Sequence, residues 1–330
     1  MKADIQISDE TSVKTHTLRA TPETVRFGMF DATFPPVVTI ASGDRIEVEC
    51  LSGGIEVMPA AGSGFAVSPA LAAIHAADLP RMGPHILTGP VAVEGAEPGD
   101  MLEVRIEDIA FGQDWGYCGI RPLAGTLPED FPVRFMSHIP IDRVRRTCTL
   151  PWGPELALRP FFGTIGVAPP RIYGRLSSRE PREHGGNLDN KELVAGSTLF
   201  FPVWEQGANF AVGDGHGVQG DGEVCVNALE TALNGTFRLI LHKGGGLSDP
   251  LLRFPRAETP THFISMGLNE DLDLAMKQAL REMISFICAR TSFSREQAYQ
   301  LCSLAADFHV TQTVNGEKGI HGMLARYLLA

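Results

Sequence analysis

The feature that most constrains this fold is the density of chain-breaking residues. The 330-residue chain carries 35 glycines and 23 prolines. They recur at short intervals up to about residue 265, well above average usage. Between them lie short β-branched or alternating runs: Val37–Ile40, Arg45–Glu49, Met101–Glu107, Ser197–Phe201, Val224–Val226 and Thr236–Leu241. Their period of two marks half-buried strands. Many short strands separated by turn signals predict a mainly β fold, a β-sandwich of jelly-roll type with inserted loops. No β-α-β rhythm is present, and no G-x-G-x-x-G follows a strand into a helix.

The texture changes near residue 269. Leu272, Met276, Ala279, Leu280, Met283, Ile284 and Ile287 fall at helical spacing, which predicts a helix over Asn269–Ala289. Ser294-Arg-Glu-Gln297 has the form of a capping box and predicts a second helix. The chain is therefore expected to be a single domain over 1–330, with a β-rich body (1–265) and a helical C-terminal annex (266–330). The proline-rich block 112–170 reads as an insertion or lid.

The formal charge of −11 argues against a general nucleic-acid surface, which needs clustered cations. The short basic run Arg143, Arg145, Arg146 reads as a solvated strand edge or a subunit contact. Met1–Glu10 has no apolar segment of the secretory kind, and no apolar run approaches the length of a membrane span. The six cysteines are scattered without a C-x-x-C pair, as expected of reduced thiols in a cytoplasm.

Chemistry concentrates in three segments. In Ala208–Glu230, five glycines interleave with Asp214, His216, Asp221, Glu223 and Glu230. A solvated loop does not need a glycine beside nearly every charge. Carboxylates and an imidazole on such a backbone suggest a hard or borderline divalent cation. An extended Asp214-Gly-His216 would point both side chains one way, and Glu223, Cys225 and Asn227 would share a face of a following strand. Asp221 reads as turn chemistry. Glu230 reads equally well as a surface residue. Cys225 has acidic and apolar neighbours and reads as a packing residue, not a nucleophile.

The second segment, His184–Glu192, offers Asn187 and Asp189 as oxygen ligands after a Gly-Gly step. His184 reads as a gate or surface residue. In the third, Gly83–Asp100, His85 and Glu94 are flanked by glycine and proline instead of other charges. A cation held by such groups with an open position would activate water for attack on a carbonyl, with a nearby carboxylate as general base and acid.

Together the segments resemble the acetamidase/formamidase family. The matching residues are Thr88–Asp100, Gly185–Asp189, Gly213–Val224, and the C-terminal run Glu296–Asp307 with Gly319–His321. The resemblance implies a β-sandwich body assembled as a homodimer or larger homo-oligomer. It implies hydrolysis of a short linear amide, such as formamide or acetamide, to ammonia and a carboxylate. It also implies a divalent metal, zinc or calcium. Carried over by position, the metal residues are Asp214, His216, Asn187, Asp189, Glu223 and His85. The catalytic residues are Glu223, Glu94 and His216. Ala92 stands where many relatives carry an aromatic residue, and Gly215 where they carry a bulkier one. Both are expected to line the substrate pocket, where a wider space would bear on which amide is the true substrate. Hydrolysis of another C–N bond, in a carbamate or cyclic amide, would use the same residues. A small-molecule-binding module with a structural cation is the reading from outside enzymology.

Overall fold

A computed structural model describes residues 13–246 and 252–329. The Met1–Glu10 stretch lies outside the described residues. The architecture is mainly β, with two large sheets packed face to face. The first is nine-stranded. Its order is Thr15–Leu18, Arg45–Cys50, Leu233–His242, Met101–Phe111, Thr198–Pro202, Arg256–Glu258, His262–Asn269, Lys318–Ala325 and Ala306–Gln312. The second runs Gly185–Asn187, Phe161–Gly166, Phe210–His216, Ile86–Val93 and Val25–Phe27, with Val38–Ile40 also pairing to Ile86–Val93.

Sequence alternation explains which strand sits where. In Arg45–Cys50, the buried residues are Ile46, Val48 and Cys50. In Leu233–His242 they include Leu233, Phe237 and Leu239. One face of each strand therefore meets the core and the other does not. Ile86–Val93, Phe161–Gly166 and Phe210–His216 are instead buried at every position. One side of this second sheet closes the core: Phe237 of the first sheet lies 5.5 Å from Phe162 and 5.4 Å from Phe210, ring centre to ring centre. Its polar side chains are left to gather elsewhere, and they form the site described below.

Among the described residues, three α-helices decorate the sheets. Helix α1 (Pro69–Ala76) is capped by the Ser68 side chain and buries Leu71 and Ile74. Helix α2 (Leu272–Arg290) starts at an Asp271 cap and lays Ala275, Ala279, Met283 and Ile287 inward. Helix α3 (Arg295–Ala305) carries the full Ser294/Gln297 capping box.

Three expectations need correction. The C-terminal region is only partly helical: Ala306–Gln312 and Lys318–Ala325 are strands that extend the nine-stranded sheet. The 112–170 block is not bare loop, for five strands run through it. Trp115–Ile120, Phe135–Asp142, Thr147–Thr149 and Glu155–Ala157 form a four-stranded sheet, and Phe161–Gly166 lies inside the second large sheet. Val224–Val226 is a turn, so no strand face aligns Glu223 with Cys225. The arginines at 143, 145 and 146 sit exposed on a turn, where Arg145 pairs with Glu155. No described helix is long and apolar enough to cross a membrane.

Candidate active site

Strand Phe210–His216 carries Asp214 and His216 into the wall of a cavity of about 420 Å³. The Gly-rich return after His216 brings Glu223 and Glu230 to the same cavity, and strand Gly185–Asn187 adds Asn187. Asp189 follows two residues later and is fully buried. His216 is the hub. Its Nε2 lies 3.3 Å from Glu230 Oε2, 3.4 Å from Asp214 Oδ2 and 3.9 Å from Asp189 Oδ1. Two overlapping sets result, Asp189/His216/Glu223 and Asp214/His216/Glu230. In each, the candidate ligand atoms lie within 4.8 Å of one another.

The backbone is bent to achieve this. Asp189, Asp214 and Glu223 have φ of 48°, 60° and 44°, in the left-handed region that non-glycine residues seldom occupy. Such conformations cost on the order of 1–3 kcal/mol each and cluster where geometry serves a site.

The surrounding bonds fix each member. Gln219 Nε2 donates to the Asp189 carbonyl at 2.8 Å, which leaves Gln219 Oε1 to accept from His216 Nδ1 at 3.0 Å. In the neutral ring, this leaves the Nε2 lone pair directed at the carboxylates, a disposition that suits a shared cation. Thr164 Oγ1 lies 2.5 Å from Asn187 Oδ1 and 3.2 Å from Asp214 Oδ2. Asn315 Nδ2 donates to Asp189 Oδ2 at 2.5 Å, and the Ala228 amide donates to Glu230 Oε1 at 3.0 Å. His85 lies at the edge of the cluster. Its Nε2 is 3.6 Å from Asp214 Oδ2, and its Nδ1 is 2.9 Å from Ser178 Oγ.

Charge in the cluster is unbalanced. Burial pushes the Glu223, Asp189 and Glu230 carboxyls above the usual carboxylate range. Burial also opposes ionisation of Asp214, but the His85 and His216 imidazoles overcome it and hold that carboxyl low. Burial disfavours the His216 imidazolium, yet Glu230 and Asp214 raise its pKa well above the ordinary histidine value. Asp189 Oδ1 and Glu223 Oε2 are buried without any hydrogen-bond partner, an expensive state for a carboxylate oxygen. Room is reserved beside them: a Cβ at Gly163 would lie 2.5 Å from Asp189 Oδ1 and 2.6 Å from Asp214 Oδ2. The donor set, orphaned oxygens and glycine-floored space all fit a divalent cation.

Of the residues singled out from sequence, Asp214, His216, Glu223, Asn187, Asp189 and His85 converge here. Glu94 does not: it is exposed on the turn after Ile86–Val93 and lies off the cavity wall. Ala92 is buried beside Gly207, and Gly215 faces Thr231 and Leu233, so neither lines the cavity as expected. His184 is fully buried, not a gate or surface residue. Asp221 is exposed and paired with Lys191. Sequence reasoning underweighted Glu230, which bridges back across His216 and Tyr117. It missed Gly163, Thr164, Gln219 and Asn315. Gln219, three residues after His216 in the same glycine-rich string, was the one within reach of local pattern.

The acetamidase/formamidase family model matches residues 19–180 and 177–318, nearly the whole described chain. The chain belongs to the acetamidase/formamidase family. It is thus a hydrolase of carbon–nitrogen bonds other than peptide bonds. A formamidase of Methylophilus methylotrophus is 27% identical, with 85% of this chain and 83% of that protein covered. The crystal structure of an acetamidase from Bacillus halodurans superposes with a TM-score of 0.80 at 32% identity, covering 94% of this chain and 98% of that one. A γ-lactamase from Delftia acidovorans superposes at 0.62 with 25% identity, over 92% of this chain and 88% of that one.

Proposed function

We propose that this amidase hydrolyses short linear amides to ammonia and a carboxylate with a divalent cation at the cluster. Asp189, Asp214, His216, Glu223 and Glu230 would hold the ion, with the Asn187 amide oxygen beside them. One imidazole among carboxylates suits zinc, and an oxygen-rich set of this size also accommodates calcium. A cation there supplies Lewis-acid polarisation of the amide carbonyl and a lowered pKa for water.

The protein's own groups do the rest. Gln219 locks the His216 ring, and Thr164 orients Asp214 and Asn187. The Glu223 carboxylate, kept ionised by the neighbouring cation, accepts the proton of the attacking water and returns it to the leaving nitrogen. Ammonia then departs and the carboxylate remains. The carrying observation is the pair of orphaned carboxylate oxygens beside the shared His216 Nε2. Ammonia release from formamide and acetamide tests the reading. Asp214→Asn and His216→Ala should each lose turnover by on the order of 100-fold or more, together with bound metal. Both variants keeping full metal and full activity would refute it.

The cavity volume supports a second reading. An amide of four heavy atoms needs on the order of 100 Å³ at liquid-water density, well below the 420 Å³ available. Larger amides, including lactams of the kind named for the Delftia relative, would fit. A panel of linear and cyclic amides separates the two readings through their kcat/KM values.

A further inference from the structure

We propose that Cys118 and Cys225 form an oxidisable thiol pair whose disulfide switches off the neighbouring site. Their Sγ atoms lie 3.5 Å apart, and both thiols are half-buried. They are the only two thiols within hydrogen-bonding reach of each other among the described residues. Both point to one acceptor, the Asn227 carbonyl, at 3.8 and 3.5 Å. Cys225 is thus not the isolated packing residue expected from sequence.

The two halves of the pair differ in how they are held. Cys118 lies in strand Trp115–Ile120, zipped to Phe135–Asp142 through the Cys118–Ser137 register. Its neighbour Tyr117 exchanges backbone bonds of 2.9 and 2.8 Å with Glu230. Cys225 lies in a turn where Glu223 and Val226 both hold positive φ, 44° and 69°. A disulfide needs an S–S separation of about 2.05 Å, so the sulfurs must close by roughly 1.5 Å. The turn, not the paired strand, is placed to move. Glu223 lies two residues from Cys225, and Asn227 lines the cavity and reaches Glu230 Oε1 at 3.4 Å. Closing the sulfurs therefore drags one cluster carboxylate directly and loosens the support of another. A misplacement of about 1 Å in a catalytic constellation costs on the order of 100-fold in rate.

The oxidant class is a peroxide. One thiolate attacks the O–O bond: the S–O bond forms, the O–O bond breaks, and hydroxide leaves to take up a proton. The second thiol then attacks the sulfenyl sulfur. The S–S bond forms, the S–O bond breaks, and the displaced oxygen departs as water with the thiol proton. Two thiols and one hydrogen peroxide give one disulfide and two waters. A dithiol reverses the change.

The turnover arm of the test rests on the amidase reading; the covalent arm does not. The protein is treated with hydrogen peroxide and digested without reduction. Mass spectrometry should find peptides joined through Cys118 and Cys225. Hydrogen exchange across 219–227 should slow. Amide turnover should fall by on the order of 100-fold and return with dithiothreitol. Cys118→Ser should keep basal turnover, form no link and resist peroxide. Failure to find the 118–225 link at full peroxide oxidation overturns the proposal. So does a link that leaves the turnover of an active enzyme unchanged, or a Cys118→Ser enzyme inactivated as fully as the parent. If no amide is hydrolysed at all, the link and the exchange change still decide whether the switch exists.

Discussion

At the scale of single residues, Gly163 is as informative as any side chain of the cluster. It has no side chain, yet an added methyl would meet Asp189, Asp214 and the His216 ring within 2.7 Å. Gly163→Ala should therefore leave the fold intact while reducing bound metal and amide turnover by at least about tenfold; circular dichroism with metal analysis would check this. His184 makes a different prediction. It is fully buried edge-on to Phe30, and neither ring nitrogen has a partner. Burial pushes its pKa from 6.5 down to about 3. The unfolded chain then takes up the proton more readily than the folded one. Its contribution is fully present above pH 6.5 and is lost as pH falls toward 3, by up to a few kcal/mol in order of magnitude. His184→Phe should flatten that acid limb in urea titrations run at several pH values. An equal acid limb in both proteins would contradict the assignment. Asp214, His216 and Glu223 were legible because glycine isolates them from other charges. Gly163 and Thr164 were not, because a buried strand interior reads as plain core until its partners are known.

At the scale of elements, strand–helix packing sets the C-terminal architecture. A Cβ at Gly267 would lie 2.0 Å from the Ala275 carbonyl and 2.6 Å from the Ala279 amide of α2. The glycine lets the helix backbone settle onto strand His262–Asn269. Gly267→Ala should cost on the order of 1–3 kcal/mol by overpacking, read as a lower urea midpoint at unchanged m-value. No change in the midpoint would show that the helix does not rest there. Helices α2 and α3 were legible from apolar spacing and from the Ser294 capping box, whose bonds are both made. The strands after them were not. Ala306–Gln312 continues the apolar spacing of α3 without a break residue, and pairing with Lys318–Ala325 decides its state. The Val224–Val226 turn was misread for the opposite reason. Its β-branched residues favour strand, but a polar cavity beneath it demands left-handed turns at Glu223 and Val226.

At the scale of the whole molecule, two sheets share one hydrophobic core, and the inner strands of the second are covered on both faces. That arrangement carries a dense cluster of carboxylates into low dielectric, where charge must be matched. His216 and His85 together cannot match Asp189, Asp214, Glu223 and Glu230, which is why a cation is central to this account. The most direct measurement follows bound metal and ammonia release in a single preparation. The protein is stripped with a chelator and then reconstituted with zinc or calcium, one at a time. The account predicts that stripping removes metal and amide hydrolysis together, and that one of the two ions restores both. Full ammonia release from metal-free protein would contradict it.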